Sequence, residues 1–264
     1  MSPTNNIPKP EPAEAGSFPK IRIGNTAFCR ISDDDLLAVI ERSIAARRPT
    51  TVVHPNVHHL NVARTNDEFQ SALAKFDYLV PDGIGVHFAA RFLYGSKGGF
   101  GERQNGTDFY FRFLKLADMH RWRVFFLGDR EEVLEKLKQI VVKEYAGIVI
   151  AGTHHGFFPI DDETVADQIR QSSADALLVG MGVPRQEIWL QKFKERTNVP
   201  ATLAVGGGIS FIAGVRKRAP SWMRSAGIEW LHRMAVEPRR LWIRYILGIP
   251  SFAVYLLKLK LGSR

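Results

Sequence analysis

The amino-acid sequence predicts an α/β fold: a Rossmann-like, mostly parallel sheet with helices on both faces, followed by a basic helical C-terminal appendage. Short apolar segments alternate with amphipathic helical patterns from residue 50 to residue 208. The apolar segments are continuous, which is typical of parallel strands buried on both faces. A cationic, aromatic stretch follows residue 213 and ends the alternation. One α/β domain with an appended segment is therefore expected.

The individual elements follow from the hydrophobic periodicity and from the residues that interrupt it. Gly24 and Asn25 indicate a hairpin turn, and Ser32 indicates a helix cap before a first turn rich in acids. The predicted elements up to residue 120 are a hairpin (21–30), a helix (33–48), a strand (50–56), helical segments to residue 75, a strand (78–80), a helix (83–94), a glycine-rich loop (96–106) and a helix capped by Thr107 or Asp108. After residue 120 they are strands at 122–128, 147–152, 174–182 and 201–208, with helices at 130–144, 163–171 and 184–196 between them.

The charge divides the chain into parts. Residues 1–19 are polar and rich in proline, which predicts a disordered tail, and residues 20–213 predict the α/β domain. Residues 214–264 contain eleven Lys and Arg against two acids, so they carry the whole net charge of +9. Such a segment is typical of proteins that meet a phospholipid surface, a diphosphate or a nucleic acid.

Aromatic side chains accompany this positive charge. They are Trp222, Trp230, Trp242, Tyr245, Phe252 and Tyr255. Aromatic rings with Lys and Arg are typical of an anionic membrane interface, although an amphipathic cap over the core would show the same pattern. No segment approaches the roughly eighteen apolar residues of a membrane span, and the single cysteine, Cys29, indicates a reducing compartment.

The stretch from Asp77 to Val86 is the first candidate for chemistry. An apolar run ends at Pro81, and Asp82 follows directly, with Gly83 after it. Ligands of α/β sheets bind beyond the carboxyl ends of the strands, where an acid can meet a substrate. Asp82 could equally be the N-cap of the helix that follows.

The other predicted strands also end in glycine, at Gly128, Gly152, Gly180 and Gly206 to Gly208. A single glycine there indicates a turn, but the repetition favours a phosphate or nucleotide pocket. The sequence lacks an intact GxGxxG at the start of the sheet and a GxxxxGK[ST] motif, which argues against a standard dinucleotide enzyme and a P-loop NTPase.

The loop 180–189 places Arg185, Gln186 and Glu187 at the predicted start of a helix. Gln186 could contact a base or a sugar hydroxyl. For Glu187, one interpretation is that it does no more than satisfy the helix end. The pairs His58–His59 and His154–His155 lack zinc-ligand spacing, and the acids from Asp33 to Asp35 fit a helix start better than a metal motif. The sequence predicts no metal and no cofactor.

Several stretches resemble the WecG/TagA/CpsF glycosyltransferases in order and spacing. They are VPDGIGV (80–86), ERQNGTDF (102–109), FFLG (125–128), GFF (156–158), VGMGVPRQEIW (179–189), AVGGGISFIAG (204–214) and RAPSWMRSAGIEWLHRMAVEPRRLWIRY (218–245). The resemblance implies a catalytic α/β domain (20–213) with a membrane-proximal appendage (214–264). It also implies inverting transfer from a UDP-sugar to a sugar on a polyprenyl diphosphate, without an obvious metal motif.

The resemblance also implies roles for particular residues. Asp82 corresponds to the general base, and Asn56 to the Asn of a Thr-x-Asn motif in which His54 replaces the Thr. The remaining substrate-binding positions are expected at Gly83, Arg103, Gly180, Gln186, Gly207 and Arg218.

The expected function is transfer of an N-acetylmannosamine-, uronate- or glucose-type hexose in cell-surface polysaccharide, exopolysaccharide or cell wall synthesis. The expected location is the inner face of the bacterial plasma membrane, where the enzyme is peripheral and could form a homo-oligomer. The two alternatives are a basic nucleic-acid-binding module and a soluble nucleotide-sugar epimerase. The nucleic-acid-binding alternative lacks a recognition motif, so no nucleic-acid partner is expected. The epimerase alternative lacks a GxGxxG motif.

Overall fold

The computed structural model describes residues 18–95, 98–101 and 103–262. Apart from Phe18 and Pro19, the predicted disordered tail lies outside the described residues. The chain begins with an antiparallel hairpin of strands β1 (Lys20–Ile23) and β2 (Thr26–Cys29), which confirms the predicted turn. Ser32 then caps helix α1 (Asp33–Ala45), because its hydroxyl accepts the backbone N–H of Asp35.

A six-stranded, fully parallel sheet forms the centre of the molecule. Its strands lie in the order β4-β3-β8-β7-β5-β6. In chain order they are β3 (Thr50–Val53), β4 (Tyr78–Leu79), β5 (Arg123–Gly128), β6 (Val149–His154), β7 (Ala176–Gly180) and β8 (Ala201–Ala204). Because all six run in the same direction, their carboxyl ends share one edge. The pair β3–β8 joins distant parts of the chain, with Thr50 beside Ala201.

Helices cover both faces of this sheet, which confirms the predicted fold class. The helices of the main domain are α1, α2 (Val57–Ala63), α3 (Asp67–Ala74), α4 (Ile84–Tyr94), α5 (Gly106–Met119), α6 (Glu131–Glu144), α7 (Glu163–Gln171), α8 (Arg185–Thr197) and α9 (Gly208–Ile212). Alternate residues of a strand enter opposite cores: Phe125 and Leu127 pack in one, and Val124 and Phe126 in the other. The first core includes residues of α2, α3, α4, α7 and α8, and the second includes residues of α1, α5, α6 and α9.

Several predicted boundaries are wrong, among them the end of β6, which continues past Gly152 to His154. Three others have a clear local reason. Strand β3 stops at Val53, because the Asn56 side chain caps α2 and accepts the N–H of His58. Strand β8 stops at Ala204, and Gly206 then turns with a φ of +52°. Helix α5 is capped by Asn105, whose Oδ1 accepts the N–H groups of Thr107 and Asp108, so neither of those residues is the cap.

The C-terminal segment forms helices α10 (Ser221–Ser225), α11 (Glu229–Val236), α12 (Pro238–Ile246) and α13 (Gly248–Leu261). Helix α13 packs against α2 and α4, and it buries Phe252 and Leu256 in the first core. Polar contacts also hold it: Asn61 Nδ2 donates to the carbonyl of Gly248, and Lys260 Nζ donates to that of Leu93. Within the described ranges, the chain forms no helix with the length and apolar character needed to cross a membrane.

Candidate active site

Asp82 lies at the carboxyl edge of the sheet, directly after β4, and is half-buried. Its Oδ1 accepts the backbone N–H of Gly106 at 3.0 Å, at the start of α5. Its Oδ2 lies 3.5 Å from the amide Nδ2 of Asn56. Two donors therefore hold the carboxylate from different elements, one at α5 and one at α2.

The local backbone explains why this carboxylate is not a helix cap. The N-cap of α4 is Gly83, which has no side chain to offer, and its φ of +76° favours glycine. No side-chain cap hydrogen bond forms at this helix end, so the helix-cap interpretation of Asp82 is wrong. The carboxylate faces the cavity that Gly83 also lines.

Asn56 connects this carboxylate to the C-terminal segment. Its Oδ1 accepts the backbone N–H of His58 at 3.0 Å and Nη2 of Arg244 at 2.9 Å. Because these two donors occupy the amide oxygen, the amide nitrogen is directed toward Asp82. Arg244 belongs to α12, so a helix of the C-terminal segment contacts the strand edge directly.

Four arginines line the same cavity, and we call them the arginine wall: Arg103, Arg224, Arg233 and Arg244. Glu229 Oε1 accepts Nη2 of Arg233 at 2.7 Å, while Glu229 Oε2 accepts Nδ2 of Asn105 at 3.0 Å. Burial alone would lower the pKa of Arg233, but the carboxylates of Glu229 and then Asp82 raise it. Arg233 therefore stays cationic, and the arginine wall offers guanidinium groups to an anionic ligand.

Apolar side chains form another part of the cavity lining. This apolar wall comes from α4 and α13 and consists of Ile84, Phe88, Ile249, Phe252, Ala253 and Leu256. It extends to the surface, since the Phe88 side chain is 63% exposed. The whole cavity has a volume of about 470 Å³. An amphiphile with an anionic head and an apolar chain fits this division of the lining.

Three histidines near the cavity supply no positive charge at neutral pH. Burial is the largest cause that lowers the pKa of each of His54, His58 and His87 to about 4. For His58 the Arg244 guanidinium lowers it further, and for His87 Arg103 does so. Asp82 opposes the shift of His54 and His87, without reversing it.

A second group of residues lies along the same sheet edge, after β7 and β8. A Cβ on Gly180 would approach the carbonyl oxygen of Gly206 to 2.5 Å, and one on Gly207 would approach Nη1 of Arg216 to 2.6 Å. Gln186 is buried, and its Oε1 accepts the N–H groups of Gly182 and Gly206 at 3.3 and 3.1 Å. Here the chain presents closely packed glycine turns instead of side chains.

A model of the WecG/TagA/CpsF glycosyl transferase family matches residues 21–264. The chain belongs to the WecG/TagA/CpsF glycosyltransferases. It is 32% identical to N-acetylglucosaminyldiphosphoundecaprenol N-acetyl-beta-D-mannosaminyltransferases of Staphylococcus aureus strains NCTC 8325 and MW2. Each match covers 209 residues, which are 79% of this chain and 80% of the relative.

Within this glycosyltransferase, the structure divides the predicted site residues into groups. Asn56, Asp82, Gly83 and Arg103 line the cavity, whereas Gly180, Gln186 and Gly207 belong to the glycine turns. His54 lies beneath the site, with its ring 5.0 Å from that of Phe109. Arg218 is outside the cavity lining and forms an ion pair with Asp108.

The glycosyltransferase site also contains residues that the sequence interpretation did not assign. Glu229 and Arg233 pair four residues apart on α11, and this spacing alone could have indicated them. Arg244, Trp230 and Tyr245 line the cavity too, and the last two rings lie 5.8 Å apart. Among the residues that the structure describes, no group of three His, Cys, Asp or Glu side chains is placed to hold a metal ion.

Proposed function

We propose that this enzyme transfers a hexose from a UDP-sugar to the terminal sugar of a polyprenyl-diphosphate carrier, with inversion at the anomeric carbon. Asp82 is the general base of the transfer. The observation that carries this proposal is the position of the Asp82 carboxylate in a cavity with an arginine wall and an apolar wall. A base, cations and an apolar surface are the three things that a sugar on a lipid diphosphate requires.

The reaction is a single displacement. The acceptor hydroxyl oxygen forms a bond to the anomeric carbon as the bond between that carbon and the UDP oxygen breaks. Asp82 takes the proton of the hydroxyl, and UDP leaves with the electron pair of the broken bond. One displacement inverts the configuration, and a positioned base of this kind contributes roughly 10²- to 10⁴-fold to the rate.

The arginine wall suits the diphosphate of the acceptor, because guanidinium groups bind phosphate oxygens through paired N–H donors. The apolar wall suits the first isoprene units, which can then leave the cavity past the exposed Phe88. The glycine turns after β7 and β8 suit the UDP of the donor, since ligands bind beyond the carboxyl ends of parallel strands.

The relatives' names support N-acetylmannosamine as the donor sugar and an N-acetylglucosaminyl diphosphate lipid as the acceptor. The test measures UDP release from UDP-N-acetylmannosamine, with UDP-glucose and a UDP-uronate sugar in parallel and a short-chain polyprenyl-diphosphate-N-acetylglucosamine as acceptor. We expect release that depends on the acceptor and is fastest with UDP-N-acetylmannosamine. Absence of acceptor-dependent release with every donor would overturn the proposal.

Peripheral binding to an anionic membrane, at the inner face of a bacterial plasma membrane, belongs to the same proposal. It places the enzyme where lipid-linked precursors of cell-surface polysaccharides are assembled. The supporting observation is a set of exposed apolar side chains among the basic residues of the C-terminal segment: Trp222, Trp242, Leu247, Val254, Leu257 and Leu261. Apolar insertion and cationic attraction together favour an anionic surface.

Vesicle sedimentation tests this membrane contact. The double variant Trp242→Ser with Leu247→Ser should bind anionic vesicles at least about tenfold more weakly, because each buried apolar side chain contributes roughly 1.5–3 kcal/mol. The control is Val142→Ser, which changes an exposed apolar residue on α6. Equal binding by the double variant and the control would contradict membrane contact through these helices.

A further inference from the structure

A fully buried carboxylate lies behind the candidate site. Glu187, on α8, is 0% exposed. Its Oε1 accepts Nε2 of Gln186 at 2.7 Å and lies 3.4 Å from Nε2 of His59. Its Oε2 is buried and has no hydrogen-bond partner among the described residues. The two polar partners of this carboxylate are therefore in different parts of the site. Gln186 contacts the glycine turns, and His59 belongs to α2.

The contacts of His59 favour one tautomer of its ring. Nε2 faces an oxygen of the Glu187 carboxylate at 3.4 Å, which favours a ring hydrogen on Nε2. Nδ1 then accepts the backbone N–H of Asn56 at 3.2 Å. The Asn56 Oδ1, 3.1 Å from Nδ1, is already occupied by two other donors. The orientation of His59 is thus fixed between Glu187 and the cap of α2.

The two ends of this arrangement reach different parts of the site. At one end, His59 holds the Asn56 backbone, and the Asn56 amide faces the Asp82 carboxylate. At the other end, Gln186 accepts the N–H groups of Gly182 and Gly206, in the turns after β7 and β8. One chain of polar contacts therefore runs from Asp82 to the glycine turns.

We propose that Glu187 and His59 are positioning residues that hold the base and the donor-binding turns in a fixed relation to each other. The contacts Asp82–Asn56–His59–Glu187–Gln186 fix the position of the base relative to the donor. This position matters because small displacements of a base or a donor cost large factors in rate. This proposal rests on the proposed function, in which Asp82 is the base and the glycine turns receive UDP. It assigns to Glu187 a role beyond satisfying the end of α8.

A double-mutant cycle tests the chain. Glu187→Leu should lower kcat roughly 10- to 100-fold, since it leaves buried donors without an acceptor, while Glu187→Gln keeps an acceptor oxygen and should retain most of the activity. In an Asn56→Ala background, Glu187→Leu should change kcat by less than about twofold, because the connection to Asp82 is already broken. Multiplication of the two losses would overturn the proposal.

The binding of UDP alone supplies a second readout. Glu187→Leu should weaken it, since Gln186 loses its partner beside the turns, whereas Asn56→Ala should leave it unchanged. Two controls separate position from stability. Leu137→Ala makes a cavity in the opposite core, and Glu41→Gln alters the exposed pair of Glu41 with His120. Both controls should keep kcat and UDP affinity within about twofold. Losses in these controls equal to those of Glu187→Leu would overturn the positioning role.

Ring ¹⁵N shifts of His59 test the chain without any assay of transfer. The unmodified protein should show hydrogen on Nε2 and none on Nδ1, and Glu187→Leu should shift the tautomer balance. Hydrogen on Nδ1 of the unmodified protein would overturn the chain. If the unmodified protein shows the expected tautomer but releases no UDP with any donor, the proposed function fails while the arrangement of the chain stands.

Discussion

The side of the cavity around Asp82, which we call the base side after the role proposed for Asp82, is built differently from the arginine wall. On the base side, the backbone fixes the functional groups: Asp82 accepts a helix N–H, and Asn56 and Asn105 are helix caps. The arginine wall comes from α10, α11 and α12 and the loop before α5, and side chains hold it in place. Asp108 pairs with Arg224, and Glu229 with Arg233.

The two sides also differ in charge. The residues before 214 carry equal numbers of acids and bases, whereas the C-terminal segment carries the net +9. The chain therefore supplies the carboxylate of Asp82 from a neutral, sheet-borne frame, and three of the four arginines of the wall from a separate stretch of sequence. Substitutions on the base side should affect the chemical step, and those on the arginine wall should affect binding of the lipid diphosphate.

The largest expected effect concerns the base. Asp82→Asn keeps the size of the side chain and removes the proton acceptor, so kcat for sugar transfer should fall roughly 10²- to 10⁴-fold. Circular dichroism should show an unchanged fold. Asp162→Asn is the matched control, because Asp162 caps α7 outside the cavity lining and Asn caps equally well. Near-normal turnover of Asp82→Asn would sink the assignment of the base.

The next effect concerns how strongly the C-terminal segment is anchored to the main domain, and it compares a buried ring with an exposed one. Phe252→Ala should lower the free energy of unfolding by about 3–5 kcal/mol, since this ring is buried in the core between α13 and the main domain. Trp222→Ala, at a side chain that is 63% exposed, should change it by less than about 0.5 kcal/mol. Urea unfolding measures both. A cost below about 1 kcal/mol for Phe252→Ala would mean that α13 is separable from the domain.

The point where the two sides meet is the contact of Arg244 with Asn56. Arg244→Met removes a charged hydrogen bond of about 1.5–3 kcal/mol, so kcat/KM for the lipid acceptor should fall roughly 10- to 100-fold. Arg239→Met makes the same charge change on α12 at an exposed residue outside the cavity lining. Similar losses in both variants would show that general charge, and not this contact, supports the reaction.

The smallest effect is a pH dependence of the free energy of unfolding, which appears only below neutral pH. Burial lowers the pKa of His54 to about 4, whereas an unfolded histidine titrates near 6.5. The unfolded chain therefore binds the proton first, and the free energy of unfolding should fall as pH drops from about 6.5 to about 4. His54 contributes a slope of up to about 1.4 kcal/mol per pH unit. His54→Thr should reduce this slope in urea unfolding, and an identical slope would contradict a neutral buried ring.

The alternation of apolar segments, with the glycines that end β5 and β7, predicted the sheet, its helices and the edge where Asp82 lies. The cap of α5 could not be chosen in this way, because Asn105, Thr107 and Asp108 are all favourable caps within four residues. The structure selects Asn105, and the next N–H, that of Gly106, is then free to meet Asp82. The tertiary contact with Asp82 therefore selects the cap of α5, because the local preferences of the three residues are similar.

Long-range side-chain contacts were also beyond sequence reasoning. Arg244 and Asn56 are 188 residues apart, and their contact depends on how α12 docks. The sequence indicated a local role for each of His59 and Glu187. His59 belongs to a pair of adjacent histidines, and Glu187 lies near the start of a helix. Their mutual contact follows from the packing of α2 near α8 and has no signature in spacing.

The position of β3 between β4 and β8 has a consequence for biosynthesis. Its partners are β4, nearby in sequence, and β8, which begins about 150 residues later. On the ribosome, the segment that carries Asp82 is therefore made long before its sheet can close. Pairing across such a separation is slow, and the early strands stay incomplete until β8 emerges. The sheet edge that carries Asp82 therefore cannot be completed before β8 has been made.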